Sequence, residues 1–385
     1  MHFGLTEEQQ MIVETVRTFV ERELYPYEDE VERLDDVPAE LRQQIIDRSK
    51  EQGLYAANMP EEHGGGGLDD LTLMLLSREL GRASMALQWI VARPSQILSA
   101  CVGDQIETYL KPTIQGERVD CLAMSEPGAG SDVRSMSTRA VRDGSDFVIN
   151  GQKHFISNGT VADFMILFAA SGEEDTPRGK KKKITSFLID MDTPGLERRR
   201  GPSCVSHKGY HQAELYFTDC RISEKQILGE EDRGFDVANE WLGGTRLEVA
   251  AMCIGRAQRA LEMSTEWAAQ RKQFGQSIGK FQGVSFKLAD MATQIAAAEL
   301  LTLQAAWKND QGTMTDQDAA MAKLHATEML AMVTDEAIQI FGGMGLMDSL
   351  PLERFWRDAR VERIYDGTSE IQRHIISRSL LRPHE

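Results

Sequence analysis

The spacing of apolar residues changes regime twice along the chain. Near the start, Thr6-Glu7-Glu8-Gln9 has the form of a capping box, a Thr whose hydroxyl and a Gln whose amide satisfy free N–H groups reciprocally. Ile12, Val16, Phe19 and Val20 follow at helical spacing and predict a helix that stops near Pro26. Pro38 opens a second helix with Leu41, Ile45 and Ile46 inward, closed by Gly53. Two more helices are predicted to about Ala100 and a short one from Asp104, so residues 1–118 read as an N-terminal all-α domain. The period then shortens. Runs at 147–149, 164–168, 184–189 and 215–217 have strand composition, and Asp143-Gly144, Asn150-Gly151 and Asn158-Gly159 are hairpin-type turn pairs. These predict a central antiparallel β domain over 119–230. From Gly234 the helical period returns in long segments, to about Gln270, from Gln282 to Lys308 and from Asp316 to Phe341, with a last helix from Ser369. Their lengths and apolar stripes predict a C-terminal four-helix bundle over 231–385. The predicted class is a multi-domain α+β protein.

Composition narrows the function classes. The 385 residues carry a formal net charge of −17, which argues against a general nucleic-acid surface and against an anionic membrane. No apolar run approaches the ~20 residues of a membrane span. The five cysteines, Cys101, Cys121, Cys204, Cys220 and Cys253, include no C-x-x-C pair. That pattern predicts a reducing, cytoplasmic setting and no metal site. The chain starts directly on a capped helix, so no signal peptide is expected.

Most candidate chemistry has a plain structural reading when each stretch stands alone. Gly64, Gly65, Gly66 and Gly67 lack the Lys and Ser/Thr of a phosphate loop and read as an interhelix loop. Lys180, Lys181, Lys182 and Lys183 read as a solvated loop. Phe155-Ile156-Ser157 reads as a hairpin with an apolar side, and Ser125-Glu126-Pro127-Gly128-Ala129-Gly130 as a turn. Near the C-terminus, a charged helix turns through Asp366-Gly367 and restarts at Thr368 and Ser369, both good N-cap types. A carboxylate there sits beside the positive end of a helix dipole, which opposes the rise from burial, so Asp366 is expected to stay ionised at neutral pH. By itself Asp366-Gly367 is an Asx-type turn.

Together, three long motifs in order change that reading. The Ser125-to-Asp132 stretch, Gln270-Arg271-Lys272-Gln273-Phe274-Gly275 and the segment around Tyr365-Asp366-Gly367-Thr368-Ser369-Glu370 resemble those of the acyl-CoA dehydrogenases, FAD-dependent enzymes that desaturate acyl-CoA thioesters between Cα and Cβ. The resemblance covers the whole chain and implies the same order of helical domain, β domain and helical bundle. It implies flavin contacts from Leu122, Met124, Ser125, Gly130 and Ser131, an aromatic cover from Phe155 and a hydroxyl for flavin N5 from Ser157. The family usually has Trp and Thr at those last two places. It further implies that Arg271, Phe274, Gln282, Gln339, Gly342 and Gly343 reach the FAD of a neighbouring subunit in a tetramer, and that Thr368 and Glu370 also lie on the cofactor. An arginine suits pyrophosphate because its planar fork binds two oxygens at once.

On the substrate side the resemblance implies contacts from Ser131, Thr245, Arg246 and Gly367. Asp366 takes the position of the catalytic base, where the family usually has Glu. The implied mechanism is removal of the α proton by Asp366 and passage of a hydride from Cβ to flavin N5, with electron-transferring flavoprotein as the next acceptor. Some branches place the base as Glu at the position of Thr245; here it is Thr. Glu248, one turn on, reads as a solvated or paired helix residue. Gly243 stands where the family often has Asp. Arg93, with Arg82 as alternative, falls in a stretch that lines the acyl pocket in the family, and reads either as a surface or paired arginine or as a selector of polar or carboxylated acyl tails. Two rival readings are a related flavoenzyme using an Asp base on another carbon acid, as nitroalkane oxidase does, and a flavin-binding homologue without turnover.

Overall fold

The structure is a computed structural model that describes residues 4–177 and 179–384, without the side chain of residue 240. Thr6 caps α1 (Glu7–Phe19) as its sequence predicts, since Gln9 N–H donates to the Thr6 hydroxyl at 3.1 Å and Thr6 N–H to the Gln9 side chain at 3.1 Å. Pro26 does not end the segment. It lies in a 3-10 turn that carries the chain into α2 (Glu28–Leu34), a place where proline's missing N–H costs nothing. Then follow α3 (Ala39–Glu51), α4 (Asp70–Leu80), α5 (Met85–Val91) and the short α6 (Lys111–Ile114).

The middle of the chain is one seven-stranded sheet: β1 (Asp120–Ala123), β2 (Arg139–Asp143), β3 (Asp146–Ser157), β4 (Phe164–Thr176), β5 (Gly179–Asp190), β6 (Leu196–Arg200) and β7 (Gln212–Ser223). Most pairs are antiparallel as expected, but β1 runs parallel to β4, and β2 touches β4 in the same sense. The long path from β1 through β2 and β3 lets the chain return to β4 in β1's direction. Of the predicted turns, Asp143-Gly144 closes the β2–β3 hairpin. Asn158, with φ +61°, turns the chain after β3. Asn150-Gly151 is no turn: it lies inside β3 at a register shift against β7, where Gly151 has φ +147°. The basic run is also not a loop. It extends β5, and Lys181 pairs at 2.8 Å with Glu174, its cross-strand partner on β4.

Five further helices complete the chain: α7 (Gly234–Gln270), α8 (Gln282–Asp310), α9 (Asp316–Phe341), α10 (Leu352–Glu362) and α11 (Ser369–Leu381). The core is continuous from the N-terminal helices through one sheet face into the bundle. Where α4 crosses α7 the backbones nearly touch. A Cβ on Gly81 would lie 2.4 Å from the Met252 backbone, and one on Gly255 would lie 1.7 Å from the Arg78 carbonyl oxygen. Two glycines thus set α4, and the α5 that follows it, hard against α7. Among the described residues no helix is long and apolar enough to cross a membrane, and no cluster of His, Cys, Asp and Glu could hold a metal ion.

Candidate active site

The turn between α10 and α11 is held from both sides. Asp366 has φ +52° and Gly367 φ +91°. Aspartate tolerates the left-handed region better than most residues. A Cβ on Gly367 would meet the Gln372 amide nitrogen at 2.7 Å. Lys323, fully buried on α9, donates to the carbonyls of Tyr365 at 2.6 Å and Gly367 at 2.7 Å. Gln372 donates to those of Asp366 at 3.1 Å and Gly367 at 2.9 Å. Thr368 caps α11, its hydroxyl taking the Ile371 N–H at 3.3 Å. The cap position is therefore filled, and the Asp366 carboxylate makes no hydrogen bond among the described residues. Burial pushes its pKa up to about 6, against the pull of Lys323 and Arg246. The value leaves the group ionised at neutral pH, though desolvation outweighs the helix terminus because no N–H reaches the carboxylate.

Behind the turn lies a buried ionic cluster that sequence reasoning missed. Glu362, the last residue of α10, accepts from Arg256 at 2.8 Å, lies 3.1 Å from the His207 ring and takes the Tyr365 hydroxyl. The His207 N–H donates to Asp358 at 2.7 Å. Burial alone would raise the Glu362 pKa, yet the hydrogen bonds from His207 and Tyr365 and the charge of Arg256 bring it to about 2. His207 comes from the β6–β7 loop, so this cluster locks sheet to bundle beside Asp366.

The second wall is β1 and the loop leading out of it. Met124 is buried, Leu122 and Ser125 are part-buried, and Gly130 and Ser131 are exposed. A buried pair fixes this loop: Lys153 donates to Glu126 at 2.8 Å and to the Met124 carbonyl at 2.8 Å, while Glu126 accepts from Ser137 and Thr138. A Cβ on Gly128 or Gly130 would meet nothing within 4 Å, so both face open space. The third wall is the end of β3, where the register against β7 shifts between Lys153 and Ile156. On this bulge Phe155 has φ +56° and stands 57% exposed. A non-glycine residue in that region is strained, and an aromatic ring held out to solvent on a bulge is the type of feature that marks a site. These residues fit a planar aromatic group: a loop of open glycines, small hydroxyls and a projecting ring. Ser157 ends β3 and lies near the Tyr210 hydroxyl.

Tyr210 stacks on Trp89 of α5 with ring centres 6.1 Å apart, and its hydroxyl feels both Arg93 and Asp366. Burial pushes its pKa up to about 12. Arg93 is committed to Asp120: it forms an ion pair with the carboxylate and donates to the carbonyl at 2.8 Å. It is therefore a paired arginine and no free cation in the acyl wall. Arg82, the alternative, points elsewhere and pairs with Glu262. On α7, Thr245 is buried with its hydroxyl donating to the Trp241 carbonyl at 3.1 Å. Arg246 is buried too, 3.5 Å from Asp316. Glu248 corrects its expectation: it has no hydrogen bond or ion pair among the described residues. Burial and then the Asp366 charge push its pKa up to about 7, against Arg93.

The remaining candidates gather at the far end of the bundle. Arg271, Gln282, Gln339, Gly342 and Gly343 are exposed, and Phe274 is 93% exposed with φ +50°. Trp267 stacks on Phe341 at 4.7 Å, which brings the end of α7 beside the end of α9. Lys323 touches the Asp366 turn and Gln339 lies sixteen residues further along α9, so at 1.5 Å per residue the two groups are about 24 Å apart. Glu370 is exposed on α11. A cavity of about 410 Å³ lined by Leu301, Met321, Leu324, His325, Glu328 and Arg373 lies between α8, α9 and α11, and Asp366 does not line it.

Comparison with known proteins gives one family across the chain. Residues 6–117 match the acyl-CoA dehydrogenase N-terminal domain, 121–220 its middle domain and 232–381 its C-terminal domain. The chain is 36% identical over 382 residues to a 3-(aryl)acrylate reductase of Clostridium sporogenes, covering 98% of this chain and 99% of that one. It is 37% identical over 385 residues to the human mitochondrial short-chain specific acyl-CoA dehydrogenase, covering 99% and 92%. The structure of butyryl-CoA dehydrogenase from Megasphaera elsdenii superposes with a TM-score of 0.90 at 34% identity, covering 99% and 100%.

Proposed function

The chain belongs to the acyl-CoA dehydrogenase family, FAD-dependent oxidoreductases, and from that premise we propose that Asp366 removes the α proton of an acyl-CoA as it is desaturated between Cα and Cβ. One observation carries the proposal. The Asp366 carboxylate is desolvated, free of hydrogen bonds among the described residues and raised to about 6, so it is ionised at neutral pH while holding a proton better than an ordinary aspartate. A base works best with a pKa near the operating pH. The Asp366 backbone N–H also makes no hydrogen bond among the described residues, and it can meet the thioester carbonyl oxygen where negative charge develops. Lys323 and Gln372 hold that N–H and the carboxylate in one fixed frame.

FAD, when bound, supplies the hydride acceptor. Its residues in this reading are Leu122, Met124, Ser125, Gly130 and Ser131 along the β1 loop, Phe155 and Ser157 at the β3 bulge, and Thr368 and Glu370 at α11. Arg271, Phe274, Gln282, Gln339, Gly342 and Gly343 would serve the cofactor of a neighbouring subunit, which their exposure and their distance from Asp366 support. The assembly is then a tetramer, and electron-transferring flavoprotein takes the electrons onward. Thr245, Arg246 and Gly367 lie on the substrate side.

The test is flavin bleaching under anaerobic conditions across straight, branched, cyclic and dicarboxylic acyl-CoAs. Bleaching by at least one thioester, with the 2-enoyl-CoA recovered, is the expected result. A protein that holds FAD and is bleached by none of them overturns the proposal.

A further inference from the structure

Glu248 faces the segment from Gly81 to Gln96 by its helix register. Gly244, one turn before it on α7, points at the Gln96 side chain, 3.3 Å from where a Cβ would sit. Met252, one turn after it, packs on Gly81. Glu248 is flanked by these two contacts on one stripe of the helix, and the chain opposite, from Gly81 to Gln96, contains α5 and Arg93. Its carboxylate accordingly feels both Arg93 and Asp366. Arg93 cannot answer it, because Asp120 already holds the guanidinium. Trp89, on α5 and stacked on Tyr210, holds a second unanswered group, a buried indole N–H with no hydrogen-bond partner among the described residues.

An acyl pocket for a plain hydrocarbon tail has no use for an unpaired carboxylate and an unpaired N–H, since both would be desolvated against a chain that cannot bond them. We propose that Glu248 is a specificity-determining residue and that the acyl group carries a hydroxyl beyond Cβ, which donates to Glu248 and accepts from the Trp89 indole. This rests on the acyl-CoA reading above and adds the substrate class to it. An ammonium group would satisfy Glu248 and leave Trp89 without an acceptor, so the hydroxyl fits both. A site built to bond a hydroxyl discriminates strongly against the analogue lacking it, whereas an apolar pocket discriminates weakly.

The experiment uses the FAD-loaded enzyme and matched thioesters: 4-hydroxybutyryl-CoA against butyryl-CoA, 5- and 6-hydroxyhexanoyl-CoA against hexanoyl-CoA, and 6-aminohexanoyl-CoA. Flavin reduction is followed by stopped flow and binding by calorimetry. At least one hydroxyacyl-CoA is expected to exceed its plain parent in kcat/KM by roughly tenfold or more. Glu248→Leu should reverse that preference, while Glu248→Gln, which can still bond a hydroxyl, should keep part of it. Melting of each holoenzyme shows that the variants are folded. A wild-type preference for every plain chain, an unchanged ratio in Glu248→Leu, or a preference for the amino compound overturns the inference. Reduction by plain chains alone would defeat only this inference, whereas no bleaching by any thioester would defeat the dehydrogenase reading itself.

Discussion

Lys323 donates to the Gly367 carbonyl at 2.7 Å, one residue past the carboxylate whose ionisation its charge favours. A single buried ammonium thus has two effects on the turn: it fixes the backbone and it opposes the rise in the Asp366 pKa. Lys323→Met should remove both. The acid limb of the flavin-reduction rate should move above its wild-type midpoint of about 6, and the rate should fall, by up to ~100-fold if the turn shifts by 1 Å. Lys323→Gln keeps a donor without the charge, so the rate should partly return while the limb stays displaced. A pH profile unchanged in both variants would limit Lys323 to a packing role.

Asp366→Asn removes the base and keeps its shape. Flavin reduction by acyl-CoA should drop by orders of magnitude while FAD stays bound, as measured by rapid-reaction absorbance at about 450 nm, a general flavin band. In the wild type the rate should rise with pH through about 6, as Asp366 ionises. The same shift bears on stability. A carboxyl raised from its ordinary 3.8 to about 6 in the folded state binds more protons there than in the unfolded chain, so stability falls as pH rises through that window. The rise corresponds to at most roughly 3 kcal/mol. Asp366→Asn should therefore melt later than wild type at pH 7 and close to it at pH 3.5, a difference read by calorimetry.

Phe155 has φ +56° with its ring exposed. Glycine adopts that backbone without the ~1–2 kcal/mol a side chain costs. Phe155→Gly should then leave the FAD-free protein as stable as wild type or about 1 kcal/mol more so, and should weaken FAD binding. Melting of the FAD-free form and a flavin titration separate the two effects. Lower stability with normal FAD affinity would mark Phe155 as a structural residue.

Arg271 is exposed on the bundle's far end, 5.8 Å from the centre of the Trp267 ring, and has no ion-pair partner among the described residues. Arg271→Ala should lower FAD occupancy and loosen the oligomer together, read by the ratio of flavin to protein absorbance and by sedimentation. Full FAD content in an intact oligomer would overturn its assignment to a neighbour's cofactor.

Local signals survive in the sequence because their causes are local. The capping box at Thr6, the run of strand composition at 147–149 in β3, the long helical stripes after Gly234 and the Asp366-Gly367 turn each depend on neighbours within a few residues. The three motifs and their order were legible for the same reason, and with them the family and its fold. What the tertiary structure decided depends on partners brought from far along the chain. Asn150-Gly151 has turn chemistry, yet pairing with β7 draws it into a strand as a bulge. The basic run became strand because Glu174 faces it across a hairpin. Arg93 found Asp120, 27 residues on, and so ceased to be a free cation. Glu248 read as a solvated or paired helix residue, and the crossing at Gly81 and Gly255 left it half-buried with no ion pair among the described residues. The pKa of Asp366 was decided last of all, because desolvation is a property of everything packed around a group, and no stretch of sequence contains it.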